Sequence, residues 1–508
     1  MRVKSLTLKM TWLAAVCFLG GMGLGSGLAA KAGELPSDIL ESLIVQDYGF
    51  EKSLLSFAEE RIALFGRGAK MPDAHPITIL LGMILQPTEW QERPLFKVNH
   101  PDLIAVFGKR SLISVGDFQR EENMAKLRQL IKTKPSVEPA IDNLNRDIHA
   151  LLDVRRDFAI IPRDSGEWQS PYEANNTTGT QQTILTTYAR LCNAFLQNDS
   201  QEFAKAAREL VEGNRLAAEK AGVSFFRLRV DLLNTHIRPF RWSATFYLLA
   251  TLVYVGALLI ARRRLAAVGL VLLALGLLAH AAGLTFRTVL VGRAPVANMY
   301  ESLVFAVGGM VLFAVLFDRI YKNPIIGLGG ALLGFIFMVI AIQMPLHESR
   351  IHPLRPALQS SWLTYHVITV MLSYSAFALS FLISMTYLFK RATGGDGSGA
   401  RWVQRLPSLD TLDSFNYQIV AIGFPLLTVG IFTGAVWAAT AWGRPWAFDP
   451  KETWSAVTWL IYGIFLHTRL LAGWKGTRSA VLGVIGFAAV LFTYLGVNYL
   501  LPGLHSYA

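Results

Sequence analysis

The sequence predicts a polytopic α-helical membrane protein of about eight transmembrane helices, preceded by an N-terminal signal or anchor and an exported α-rich soluble domain. Three observations carry this. The 508 residues are 52% hydrophobic and only 17% charged, with a mean hydropathy of +0.37, which is too apolar for one soluble domain of this length. Eight uncharged runs follow one another from Trp242 onward. The chain also opens on a basic and then apolar leader.

In that leader, Met-Arg-Val-Lys and Lys9 precede an apolar, glycine-rich run from Met10 to Ala30. With small residues at Ala30 and Ala32, residues 1–32 read as a secretory signal, cleaved or retained as an anchor. Residues 33–240 are then exported. Within them Glu121 to Val154 and Gln181 to Ala221 carry apolar residues at three- and four-residue intervals, the spacing of amphipathic helices, and Ser165 to Thr180 collects the Gly, Pro and Asn of a loop. The shorter apolar bursts of Ile77 to Phe107 read as strands. His75, His100, His149 and His236 read as structural or surface residues. Cys17 in the leader and Cys192 further on provide neither a disulfide framework nor a thiolate metal site, so any metal must come through histidine, carboxylate or a cofactor.

The eight runs cover 242–261, 265–286, 302–317, 323–346, 356–389, 414–443, 453–468 and 479–508. Most reach the ~20 residues that a helix needs to cross ~30 Å of hydrocarbon, so residues 241–508 form the membrane domain. If the chain enters from outside, the loops beginning at Arg262, Asp318, Lys390 and Arg469 fall inside and hold twelve Lys and Arg, against six outside, or eight with Arg238 and Arg241. The net charge of +12 therefore reads as membrane orientation. No basic stripe with interleaved aromatics is present, so nucleic acid is not an expected partner. The tryptophan-rich segment, the loop Pro345 to Ser361 and the tail Leu501 to Ala508 all fall on the outer side.

That segment, 437–459, holds five of the twelve tryptophans: Trp437, Trp442, Trp446, Trp454 and Trp459. Indoles anchor proteins at the bilayer surface, because one end is apolar and the N–H is a donor. A belt of anchors does not require Gly443, Arg444, Pro445, Asp449, Pro450, Lys451 and Glu452 threaded between the rings, whereas a site for a large flat ligand does. Asp449-Pro450-Lys451-Glu452 also reads as a capping-box start for the seventh helix. That explains where the helix begins, but not why three tryptophans precede it.

Histidine in or beside a spanning helix is costly without a partner. His366, in the first turns of the fifth span, and His505, in the tail, fall on the tryptophan side. Two neutral imidazoles flanking an aromatic plate are what an iron porphyrin takes as axial ligands; His366 could equally hydrogen-bond within the bundle, and His505 could be an ordinary tail residue. His467, near the inner end of the seventh run, and His280, in the second, lie at different depths, as ligands, proton-relay groups or buried hydrogen-bonding residues.

Trp437-Ala438, Trp442-Gly443, Trp446 and Asp449-Pro450-Lys451-Glu452-Thr453-Trp454, with Trp459 and His467 downstream, resemble the tryptophan-rich "WWD" signature of haem-handling membrane proteins, and within that group the CcsA (ResC) family of cytochrome c biogenesis. Gly292 to Ser302, Trp362 to His366 and Gly503 to Tyr507 resemble the family's loop after the second span, its outer histidine motif and its C-terminal one. The resemblance covers about 270 residues. One departure is Phe448, where the family usually has Trp, which keeps the ring but loses the indole N–H. Residues 33–240 resemble, more weakly, the periplasmic part preceding the CcsA half of fused CcsB–CcsA proteins.

The resemblance implies haem b as cofactor, bound on the periplasmic face of a bacterial inner membrane between the tryptophan segment and His366 and His505. There it meets the Cys-x-x-Cys-His motif of an apocytochrome c, the protein acting as the haem-ligating component of a holocytochrome c synthase. Arg293, Arg355 or Arg444 would pair with propionates, and His467 would hold haem in transit with a second ligand from a CcsB-like membrane partner; thiol-reducing proteins are further implied partners. The rival expectations are a related protein passing haem to a chaperone, and a non-haem transporter or proton channel using His280 and His467.

Overall fold

The computed structural model describes residues 35–65, 69–163, 166–175, 177, 179–260, 262–344, 346–354, 356–397, 400, 402–501 and 503. The leader 1–32, Arg355 and His505 lie outside the described residues. The chain divides into two compact units, between Ile237 and Arg238.

The first unit is mainly helical, as Glu121–Thr133, Glu138–Leu152, Thr180–Gln197 and Ser200–Lys220 illustrate. Among the described residues, three short antiparallel pairs accompany the helices. In the first, Ile44–Asp47 faces Phe50–Ser53 across Tyr48 and Gly49. Both turn residues have positive φ (52° and 80°), as a two-residue hairpin requires. The strands expected over Ile77 to Phe107 are mostly helix: Pro76–Leu85 begins with Pro at the first helical position, capped by the His75 ring accepting from the Ile77 N–H at 3.4 Å. A continuous apolar run has no periodicity that separates a buried helix from a strand, and the proline decides the matter. Only Phe96–Lys97 within that stretch is strand, paired with Leu112–Ile113.

In the second unit, seven helices among the described residues are long and apolar enough to cross a membrane, and this chain is a multi-pass membrane protein. With our labels they are α1 (Pro239–Ile260), α2 (Arg263–Val291), α3 (Met299–Tyr321), α4 (Pro324–Gln343), α5 (Ser361–Ala392), α6 (Leu409–Trp442) and α8 (Thr477–Leu500). The remaining expected span is the 22-residue α7 (Pro450–Leu471). At ~33 Å it is long enough, but Trp454, Thr458, Trp459, His467 and Arg469 lower its hydropathy, so seven helices rather than eight satisfy both criteria.

Small residues set the helix contacts. A Cβ on Gly276 would sit 2.6 Å from the Tyr247 ring, and one on Gly330 would sit 2.1 Å from the Ala314 Cβ, so these positions let α1 meet α2 and α3 meet α4 at close range. Phe377 of α5 lies flat on Tyr462 of α7, with centroids 3.5 Å apart. Asn416 of α6 accepts from the Ser380 hydroxyl (2.6 Å) and donates to that of Ser384 (3.0 Å) on α5. In the last helix, α8, Phe492–Gly496 forms a π-helical turn.

Candidate functional site

The site begins where α5 starts. Ser360 caps that helix by accepting from the Trp362 N–H at 3.3 Å, and His366 follows within its first two turns. The His366 Nδ1–H donates to the Gly430 carbonyl of α6 at 2.7 Å. That fixes the tautomer and leaves the lone pair on Nε2, the arrangement found in metal-binding histidines whose other nitrogen is hydrogen-bonded to a carbonyl. Room for the ring comes from Gly434: a Cβ there would lie 2.6 Å from Nδ1. Gly430 and Gly434 are four residues apart, so they share one face of α6.

Trp437, one turn further along α6, stacks on His366 with centroids 6.0 Å apart and planes 15° apart. It is buried, and its Nε1–H donates to the Ala357 carbonyl at 3.0 Å. Trp442 meets Trp437 edge-on at 4.8 Å. Gly443, with φ 75°, then ends α6 in the left-handed conformation, its N–H reaching Ala439 at 3.0 Å. Beyond it Arg444 is exposed and Trp446 is half-buried, edge-on to Phe448 at 6.3 Å. Phe448 is 80% exposed and has φ 56°, a strained backbone for a residue with a Cβ.

Asp449 and Glu452 form the anticipated capping box. Glu452 Oε2 accepts from the Asp449 N–H at 3.2 Å and from the Ala447 N–H at 2.7 Å, which fixes the approach to the helix. Asp449 is buried, and a Cβ on Gly503 would lie 2.5 Å from its Oδ1. The tail thus returns to the start of α7. It is laced there by Lys451 Nζ donating to Asn498 (2.8 Å), by Phe492 against Trp454 (4.2 Å) and by the Thr493 hydroxyl donating to the Trp454 carbonyl (3.2 Å).

The five tryptophans do not make one plate. Trp437 stacks on His366 and Trp442 packs on Trp437, and Trp454 packs with the π-helical turn. Trp459 turns into the bundle, stacked on Phe424 (5.3 Å) and donating to Thr428 (2.9 Å). Arg293 is engaged by Glu301 (2.8 Å), which Arg287 also pairs at 3.0 Å. Glu301 further accepts from the Ala297 N–H at 2.9 Å, and Ala297 packs against the Trp437 cluster. His280 is fully buried and both ring nitrogens are used, one with the Tyr247 hydroxyl (3.1 Å) and one with the Val304 carbonyl (2.9 Å). His467 is exposed on α7 in a stripe with Leu460, Ile464 and Leu471.

Sequence reasoning missed Gly430, Gly434, Ala357 and Glu301. The Gly-x-x-x-Gly spacing in an apolar helix signalled a close approach, but not what approaches. Nothing local marked Ala357, which contributes only its carbonyl.

The class of this membrane bundle is given by its sequence: residues 296–505 match the profile of the family described as Cytochrome C assembly protein. The cytochrome c biogenesis protein CcsA of Synechococcus elongatus is 36% identical over 285 residues, covering 48% of this chain and 88% of that protein. Its counterpart in Prochlorococcus marinus is 40% identical over 244 residues, covering 44% and 78%. The chain belongs to the CcsA family of cytochrome c biogenesis proteins. Among solved structures, one titled "Cytochrome c Heme Lyase CcmF" is similar over 50% of this chain and 45% of that one, at 18% identity and a TM-score of 0.39.

Proposed function

We propose that this protein binds b-type haem on its tryptophan side, with His366 and His505 as axial ligands, and presents it for thioether attachment to the Cys-x-x-Cys-His motif of apocytochrome c. The observation that carries the reading is the His366 Nδ1–H bond to Gly430, which aims a basic Nε2 lone pair from a rigid helix end. The approach of Gly503 to Asp449 supports His505 as the second ligand, since two residues of chain put its Cα no more than ~7.6 Å from that of Gly503.

Haem, the cargo, supplies the vinyl groups to which cysteine sulfurs add. The chain contributes position: the imidazoles hold iron, Trp437 and Trp442 exclude water, and exposed Arg444 meets a propionate, with Arg293 contributing charge from behind Glu301. Fixing both reactants removes the entropy of their encounter. In this reading the protein is the haem-ligating component of a holocytochrome c synthase. It sits in a bacterial inner membrane with residues 33–240 and the C-terminus in the periplasm, residues 1–32 are its signal or anchor, and thiol-reducing proteins keep its substrate reduced.

His467 lies seventeen residues into α7, ~26 Å from its start, so it belongs to a separate transit level. Its exposure supports a second ligand from a CcsB-like partner. A proton relay through His280 finds little support, because both of its nitrogens are committed within the bundle.

The test is haem content and the Soret spectrum of the full-length protein purified with its partner. Replacing His366 or His505 by Ala is expected to lower haem or shift the band, with recovery in exogenous imidazole. Full haem loading and normal cytochrome c assembly in the double variant would refute the assignment.

A further inference from the structure

α3 and α5 form the floor of a cleft whose walls are α4 on one side and the end of α8 on the other. Its empty space is about 660 Å³ when the part open to the outside is counted. Met310 and Met371 lie buried on the floor, while Ile340 of α4 and Leu491 and Leu495 of α8 line the mouth and are 48%, 38% and 40% exposed. All three are exposed apolar residues of spanning helices, as Ile336 of α4 and Ile485 of α8 are.

The chemistry of the lining is almost wholly hydrocarbon. The Ser375 hydroxyl is spent on the Ala306 and Met371 carbonyls (2.7 Å each). That of Tyr494 donates to the Met299 carbonyl (3.1 Å) and lies 2.9 Å from the Ser302 hydroxyl. Depth narrows the occupant further. Leu303 to Met310 lie four to eleven residues into α3, ~6–17 Å below its start, which is the acyl region of one leaflet of a ~30 Å core and not its headgroups. An apolar cavity with a lateral mouth in that region faces lipid tails, and leaving it empty forfeits the dispersion contacts of its lining.

From this geometry we infer that the cleft is a lipid site, taking one acyl chain of a phospholipid from the leaflet on the tryptophan side. The π-helical turn is part of the wall, because it carries Tyr494 and Leu495. Restoring α-helical register there would turn Leu495 by ~100° and remove one side of the mouth. The bound chain therefore braces the turn that ties α8 to α3, and this holds whether or not haem is the cargo.

The experiment uses the full-length protein in nanodiscs of phosphatidylethanolamine and phosphatidylglycerol doped with a phospholipid carrying a diazirine midway along one acyl chain. After irradiation, mass spectrometry is expected to find label on buried Met310 and Met371 several-fold above equally buried Met338. Ile340→Trp or Leu495→Trp, both at exposed positions, should block the mouth and remove that label without changing the melting temperature. Label confined to outward residues such as Leu278 and Phe432 would overturn the proposal, as would insensitivity to both tryptophans. Loss of label in Tyr374→Phe would also overturn it, because it would mean a ligand held by a polar head at the floor.

Discussion

The imidazole of His366 and the indole of Trp437 lie 15° from parallel with centroids 6.0 Å apart, and each ring is tethered through its own N–H to a backbone carbonyl, Gly430 for one and Ala357 for the other. Neither ring can rotate without breaking its bond, so the pair is a fixed wall built on α5 and α6.

That wall depends on a missing methyl. Gly434→Ala would place a carbon 2.6 Å from Nδ1 and 2.7 Å from Cε1 of His366, forcing the ring off its carbonyl. Haem per protein, read from the Soret absorbance, should fall several-fold. Gly443→Ala, where a Cβ meets nothing within 4 Å but φ is 75°, should cost ~1–2 kcal/mol of stability and leave the haem spectrum unchanged.

Two intramembrane histidines should separate by readout. His280→Ala removes two buried hydrogen bonds and leaves a cavity, so thermal unfolding should show a loss of ~2–4 kcal/mol. His467→Ala changes an exposed side chain and should shift stability by no more than ~0.5 kcal/mol, yet stop cytochrome c assembly. Assembly at the normal rate in that variant would make His467 a bystander.

Phe448 tests whether the exposed ring before α7 contributes to the proposed site. Phe448→Trp keeps a ring and adds an indole N–H at an exposed position, and should support cytochrome c assembly at least as well. Phe448→Gly relieves the left-handed backbone and should raise stability by ~1 kcal/mol, while assembly falls for want of the ring. Equal assembly in all three would mean the ring is idle.

In the first unit, burial raises the Asp147 carboxyl to about 6, with nearby Arg146 opposing. A carboxyl raised on folding adds stability that is fully present below its unfolded value near ~3.9 and is lost as pH rises through the folded value. Asp147→Asn should therefore stabilise the protein by roughly 1–2 kcal/mol at pH 7.5, allowing for solvent screening, and by nothing near pH 3.5. Melting temperatures across that range check it.

What could be read in advance divides by sequence separation. The Asp449–Glu452 capping box spans four residues and was visible in them, as were the apolar runs of the membrane unit. The partners of Arg293 and His280 were not, because Glu301 and Val304 are chosen by how α3 packs, which no local pattern encodes. The five tryptophans read as a single plate because spacing says nothing of direction: Trp459 points into the bundle toward Thr428, whereas Trp446 lies beside Phe448 at the surface. The helix at Pro76–Leu85 was mistaken for strand because a fully buried run has no polar face to reveal its period.

The hydrogen bond from Tyr494 to the Met299 carbonyl joins residues 195 apart in the chain, and so carries a timetable. At roughly 5–20 residues per second, a ribosome takes on the order of 10–40 s to go from one to the other. Only for the last 57 of those residues, from Trp437 to Tyr494 and roughly 3–11 s, are His366 and Trp437 both made while the bond that ties α8 to the start of α3 is not. The proposed site, with His505 as its second ligand, is therefore completed only after the last helix has been made.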